Sequence, residues 1–163
     1  MGQQATFAFS YTGVFLLNLL LFPLVLTVVG HVPLALELGV QSAGGIVRDV
    51  LSFWMLAVLM ALWGGVYAFV PGLIICSLLF AFFKAVAERS NALRHPKAIA
   101  FALAAFAGSA IMLPVLFIYV GGYHGLQDLF SRFDLFVFLN SLCAGGIAYF
   151  IGRKSFEERA SHA

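Results

Sequence analysis

Two histidines, two asparagines and two cysteines are the side chains of this sequence placed where chemistry inside an apolar setting is conceivable. His31 and His124 each border a long uncharged stretch. Two imidazoles facing one another can ligate a b-type haem or another metal, which would make the chain an electron-transfer subunit. Neither histidine has a partner histidine at i+3 or i+4, and solvated loop side chains are the plainer alternative. His31 and His124 therefore stand as the candidate cofactor-binding residues, without a spacing that implies a cofactor or a metal. His95 and His162 belong to no motif.

Asn18 and Asn140 lie inside uncharged stretches. An amide left unpaired in hydrocarbon is costly, so each is expected to bond to a neighbouring helix or to line a polar cavity. Cys76 and Cys143 form no CxxC pair, no zinc spacing and no disulfide framework. They read as buried thiols. Paired carboxylates can do general acid–base work. Here Glu37, Asp49, Asp128 and Asp134 are interspersed with Arg48 and Arg132, a pattern of surface ion pairs. No G-x-S-x-G is present, and the glycine pairs at Gly44, Gly64, Gly121 and Gly145 fit turns and close contacts rather than a phosphate loop. No catalytic residue is assigned, and the chain is not expected to be an enzyme.

The elements that must carry these residues follow from composition. Hydrophobic residues make up 63% of the 163 and charged residues 10%, against roughly 45–50% and about 25% in soluble domains. Lipid is the solvent that suits such a chain. Four uncharged runs cover about 7–30, 50–83, 98–122 and 135–151, and a membrane helix needs about 20 apolar residues. The sequence thus predicts an all-α, polytopic membrane protein: a single domain over 1–163, built as a bundle of four transmembrane helices. The second run is long for one crossing. As one helix its 34 residues reach about 51 Å, so it is either a long helix bent near Pro71 and Gly72 that projects from the membrane at one end, or one broken at Gly64-Gly65 or Pro71-Gly72 into a full span and a shorter re-entrant or second span. One crossing is preferred, because no polar turn separates two full-length halves. No lysine or arginine precedes the first run, and its apolar stretch exceeds a signal-peptide core; it is expected to stay as a span.

Charge sets the orientation. Lys84, Arg89, Arg94 and Lys97 lie between the second and third runs, and Arg153, Lys154 and Arg159 follow the fourth. With one crossing by the second run, these seven of nine basic residues share a side, which the positive-inside rule makes cytoplasmic. Both termini are then cytoplasmic, with a bacterial inner membrane the expected site. Trp54, Tyr119 and Tyr123 would mark the outer interface, and Trp63 would pack between helices. A net charge of +2 without a basic face offers nothing to nucleic acid.

Helices in lipid associate through small residues and interhelical hydrogen bonds. Ala100, Ala104 and Gly108 in the third run, and Ala144, Ala148 and Gly152 in the fourth, repeat at intervals of four. These rows are expected to join the two helices as a tight antiparallel pair. Between them, Leu126, Leu129, Phe130 and Phe133 share one helix face opposite Asp128 and Arg132, the pattern of a short amphipathic helix in the interface.

No Asp, Glu, Lys or Arg falls at mid-membrane depth, which disfavours a pump with an intramembrane carboxylate. The leading expectation is a non-catalytic accessory, assembly or interaction component, with a membrane-protein partner or a homo-oligomer. One alternative is a small transport or channel subunit for a neutral or weakly polar solute, resting on Asn18 and Asn140. The other is the haem-binding electron-transfer subunit built on His31 and His124.

Overall fold

A computed structural model describes residues 3–31, 43–90, 93–121 and 130–157. Among the described residues there is no strand. Four helices account for nearly all of them: α1 (Gln3–Leu26), α2 (Ala43–Ala87), α3 (Pro96–Gly121) and α4 (Phe130–Gly152). Wider π-helical turns, Thr27–His31 and Arg153–Glu157, continue α1 and α4. All four helices are long and apolar enough to cross a bilayer. The protein is a multi-pass helical membrane protein.

Each helix begins before its uncharged stretch, and α2 and α4 also run past its end. Lys84 still belongs to α2, its Nζ 3.9 Å from Glu88 Oε1 one turn on. After Ala87 the chain tightens, with Arg89 N–H donating to Val86 O and Ser90 N–H to Ala87 O. Pro96 opens α3, at a position where a missing N–H removes no intrahelical bond. Three prolines sit inside helices, at Pro23, Pro71 and Pro114. Each removes one ladder bond, which a bilayer tolerates where neighbouring groups compensate. Near Pro23, the Thr27 hydroxyl donates to Pro23 O at 2.7 Å.

The second run is one continuous helix of 45 residues, unbroken at Gly64-Gly65 and Pro71-Gly72. Of the amphipathic segment expected over Leu126–Asp134, Phe130 onward forms the first turn of α4; the part before it lies outside the described residues.

Contacts fix the order of the bundle. Along α1 from Phe7 to Leu19, the partners on α2 run back from Phe80 (ring centroids 5.1 Å) through Phe69 to Gly65. Phe101 and Gly108 of α3 meet Phe80 and Cys76 of α2. Phe22 of α1 meets Phe136 of α4, and Gly13 meets Ile151. Every neighbouring pair is antiparallel, so α1, α2, α3 and α4 run up, down, up and down around a ring. At one end Phe7, Phe80, Phe101 and Phe156 converge, all five of their ring contacts between 5.1 and 5.8 Å. The start of α1, the α2–α3 connection and the end of α4 therefore share this end.

The α3–α4 pair packs most extensively. Gly152 approaches Ala98 and Phe101, and Gly145 approaches Phe106 and the Ala102 carbonyl. The other small residues divide differently from a simple face-to-face pair: Gly108 turns to Cys76 of α2, and Ala144 lines an internal cavity. At 3.6 residues per turn, a step of four overshoots by about 40°. Over Ala100, Ala104 and Gly108 the row swings from one neighbour toward the next. All six small residues, Ala100, Ala104, Gly108, Ala144, Ala148 and Gly152, are buried.

Trp63 corrects its expectation: it lies outside the bundle, 68% exposed, stacked on Tyr67. Gly64 and Gly65 occupy the interhelical positions beside it, where Leu116 and Leu19 come too close to leave room for an indole.

A Cβ at Gly145 would sit 3.2 Å from Phe106 Cβ and 3.3 Å from Ala102 O, whereas one at Gly146 would meet nothing within 4 Å. Gly145→Val is expected to destabilise the bundle by about 1–3 kcal/mol. Gly146→Val should change it by less than about 0.5 kcal/mol. Unfolding in mixed detergent micelles measures both, and equal effects would contradict this packing.

Candidate functional site

The bundle interior is the place where polar side chains from different helices converge. Asn18 is carried inward by α1, one turn beyond Val14, which is buried. Asn140 on α4 is fully buried, and its Nδ2 donates to Ser109 Oγ of α3 at 3.4 Å. Beneath these lies a cavity of about 110 Å³ whose lining includes Asn18, Tyr11, Cys76 and Ser109. Asn18 of α1 and Ser109 of α3 thus border one internal space, and Asn140 of α4 is tied to its rim through Ser109.

The hydrogen bonding of this row is incomplete. Tyr11 Oη donates to Phe69 O at 3.3 Å, a long contact for a hydroxyl donor. Asn18 Oδ1, Asn140 Oδ1, Ser10 Oγ and Ser141 Oγ are buried without a protein partner. By contrast, Thr12 and Ser77, which sit toward the outside, bond back to Ala8 O and Ile74 O of their own helices, the usual resort of a helical hydroxyl. A cavity that admits a hydrogen-bonding molecule can satisfy what the helices leave unmet.

No carboxylate, ammonium, guanidinium or imidazole is among the described lining residues. Such a site can recognise by shape and by neutral hydrogen bonds. Among the described residues, no three His, Cys, Asp or Glu gather as a metal-binding group.

Of the residues singled out from sequence, Asn18 lines the cavity together with Ser109, and Asn140 bonds to Ser109 from behind it. Cys76 lines the cavity, and Cys143 is a half-buried free thiol. His31 closes the π-helical turn after α1, its side chain outside what is described, and His124 lies outside the described residues. Sequence reasoning had not singled out Tyr11 or Ser109 for this site. Tyr11 falls four residues from Phe15 and seven from Asn18, one face of a helix, and that spacing is the available signal. Ser109 stands next to Gly108 in the small-residue stretch of the third run, and nothing in that setting marks it out.

Set against protein-family models, curated proteins and solved structures, the chain matches none of them. Its site is therefore read from its own geometry.

The Asn140–Ser109 bond is long, and interhelical bonds in membranes average about 0.6 kcal/mol in double-mutant cycles. A cycle of Asn140→Leu and Ser109→Ala is expected to give a coupling of about 0.5 kcal/mol. A coupling near zero would mean that the two side chains do not act together.

Proposed function

We propose that this protein is a non-catalytic membrane component that works by holding another membrane protein along α2. The carrying observation is the length of that helix combined with its exposed face. Forty-five residues extend about 67 Å, while the hydrocarbon core is about 30 Å thick. Even at a tilt of about 40°, a crossing occupies roughly 26 residues. Lys84 and Glu88 mark the headgroup boundary at one end. Counted back from there, the first dozen or more residues of α2 lie beyond the opposite edge of the core.

That emergent segment is not polar. Val47, Leu51, Met55 and Leu59 are spaced at i+4 and each is more than half exposed, from 56% to 65%. Lipid tails cannot cover Val47, Leu51 or Met55 at that height, and Leu59 lies at the edge of the core. Burying such a side chain fully is worth roughly 1.5–3 kcal/mol, so a protein surface laid along this stripe is strongly favoured. The stripe continues downward through Leu62, Val66, Val70, Ile74 and Leu78, all exposed. A partner helix can follow it from the interface into the bilayer. A neutral interior, free of intramembrane carboxylates, agrees with an assembly role rather than proton-coupled work.

In this reading the end bearing the phenylalanine cluster faces the cytoplasm of a bacterial cell, because Lys84, Arg89, Arg94, Lys97, Arg153 and Lys154 belong to it. The membrane is then the inner membrane. Cysteine-accessibility mapping is expected to label residue 92 and both termini from the same, cytosolic side. Labelling of residue 92 and the C-terminus from opposite sides would end this orientation.

A photoreactive amino acid at Leu51 or Met55 is expected to give a discrete protein adduct in native membranes, and one at Leu78 a weaker or lipid-only product. Leu51→Asp and Met55→Asp should abolish the adduct formed from a probe at Leu59 while leaving the melting temperature in detergent within a few degrees. An adduct at twice the chain's own mass would identify the partner as a second copy. Absence of protein adducts at both Leu51 and Met55 would refute the proposal.

A further inference from the structure

We infer that the interior cavity is a binding site for the hydroxyl end of a neutral aliphatic alcohol taken up from the bilayer. The cavity is separate from the partner surface on α2, which lies on the outside of the bundle. Among the described residues, the one buried acceptor that lines the cavity without a partner is Asn18 Oδ1. A carbonyl oxygen accepts and does not donate. Whatever satisfies it must bring an O–H or N–H.

The rest of the cavity narrows the class. Phe15, Met112, Leu113 and Leu116 give it apolar walls, suited to an aliphatic chain. No described lining residue carries a charge to pair with an ammonium or a carboxylate, and an unpaired ion buried at this depth is heavily penalised. Its volume of about 110 Å³ is smaller than the roughly 150 Å³ that holds a benzene ring. Only a few heavy atoms fit inside. The cavity is also partly open, so a longer chain can trail out between the helices while its hydroxyl stays within. A hydroxyl also has an acceptor side, and Ser109, whose oxygen already receives Asn140 Nδ2, is placed on the lining to donate to it. A neutral alcohol answers both Asn18 and Ser109; an alkane answers neither.

The test uses the full-length protein in phosphatidylcholine vesicles with octan-1-ol carrying a mid-chain diazirine. Photolabelling, mapped by peptide mass spectrometry, is expected to saturate and to concentrate on Met112 and Phe15. Excess octan-1-ol should displace it and octane should not. Asn18→Leu keeps the side-chain size and removes the acceptor; loss of one hydrogen bond should lower labelling about fivefold. Ala68→Leu, which fills the cavity from α2, should abolish labelling with the helical melting curve retained, and it decides the matter if Asn18→Leu does not fold. Three results would overturn the inference: labelling spread evenly over lipid-facing Leu78 and Phe82, equal displacement by octane, or undiminished labelling in the folded variants. No labelling above background would mean that the cavity holds water alone, which also overturns it.

Discussion

Helices dissolved in hydrocarbon gain nothing by being apolar, so close contact is what holds this bundle together. The contacts that matter are the ones where two backbones or two large side chains approach without a gap. Gly145 and Gly152 bring α4 onto α3, and Gly64 and Gly65 let Leu116 and Leu19 reach the surface of α2. Phe101 is fully buried and touches rings from α1, α2 and the turn after α4. Aromatic pairs of this kind contribute about 0.5–1.5 kcal/mol beyond area burial, and dispersion of this sort does not weaken when water is replaced by lipid.

Against that dense frame, the middle of the bundle is deliberately incomplete in its polar bonding. Asn18, Ser109 and Asn140 converge from three helices, but only one weak bond joins any two of them. Polar groups placed in a membrane interior either tie helices together or serve a guest. Asn140 does the first through Ser109. Asn18 faces space. The external stripe on α2 and the internal cavity are separate features, one turned outward to whatever lies beside the bundle and the other inward.

Much of the architecture was legible in sequence because it follows from solvent. Runs without Asp, Glu, Lys or Arg gave the four helices, and Lys84, Arg89, Arg94 and Lys97 marked the turn between α2 and α3. The charge pattern anticipated that the start of α1 and the end of α4 share an end with that turn. What the sequence blurred were matters of rotation and continuity. Trp63 and Gly64 are one residue apart, yet one points to lipid and the other to a neighbouring helix. Which does so depends on the phase of α2, and a helix apolar on every side leaves that phase unwritten. Pro71 looked like a place to break α2; the helix passes through it because the bilayer offers freed backbone groups no water to turn to. For the site, the deep amides drew notice by polarity alone, whereas Tyr11 and Ser109 gained meaning only from what stands opposite them.

The phenylalanine cluster also bears on how the molecule comes into being. Its members are Phe7, near the start of α1, and Phe156, beyond the end of α4, with Phe80 and Phe101 between them. During synthesis the first three rings can gather as soon as α3 has entered the bilayer, but the fourth joins them only after α4 has followed. Until then Phe80 and Phe101 present an unfilled notch at the base of a three-helix intermediate. Closure of the ring is thus a long-range event, and a chain interrupted before residue 156 keeps three of the four rings but lacks the one that fastens the end of α4 to them.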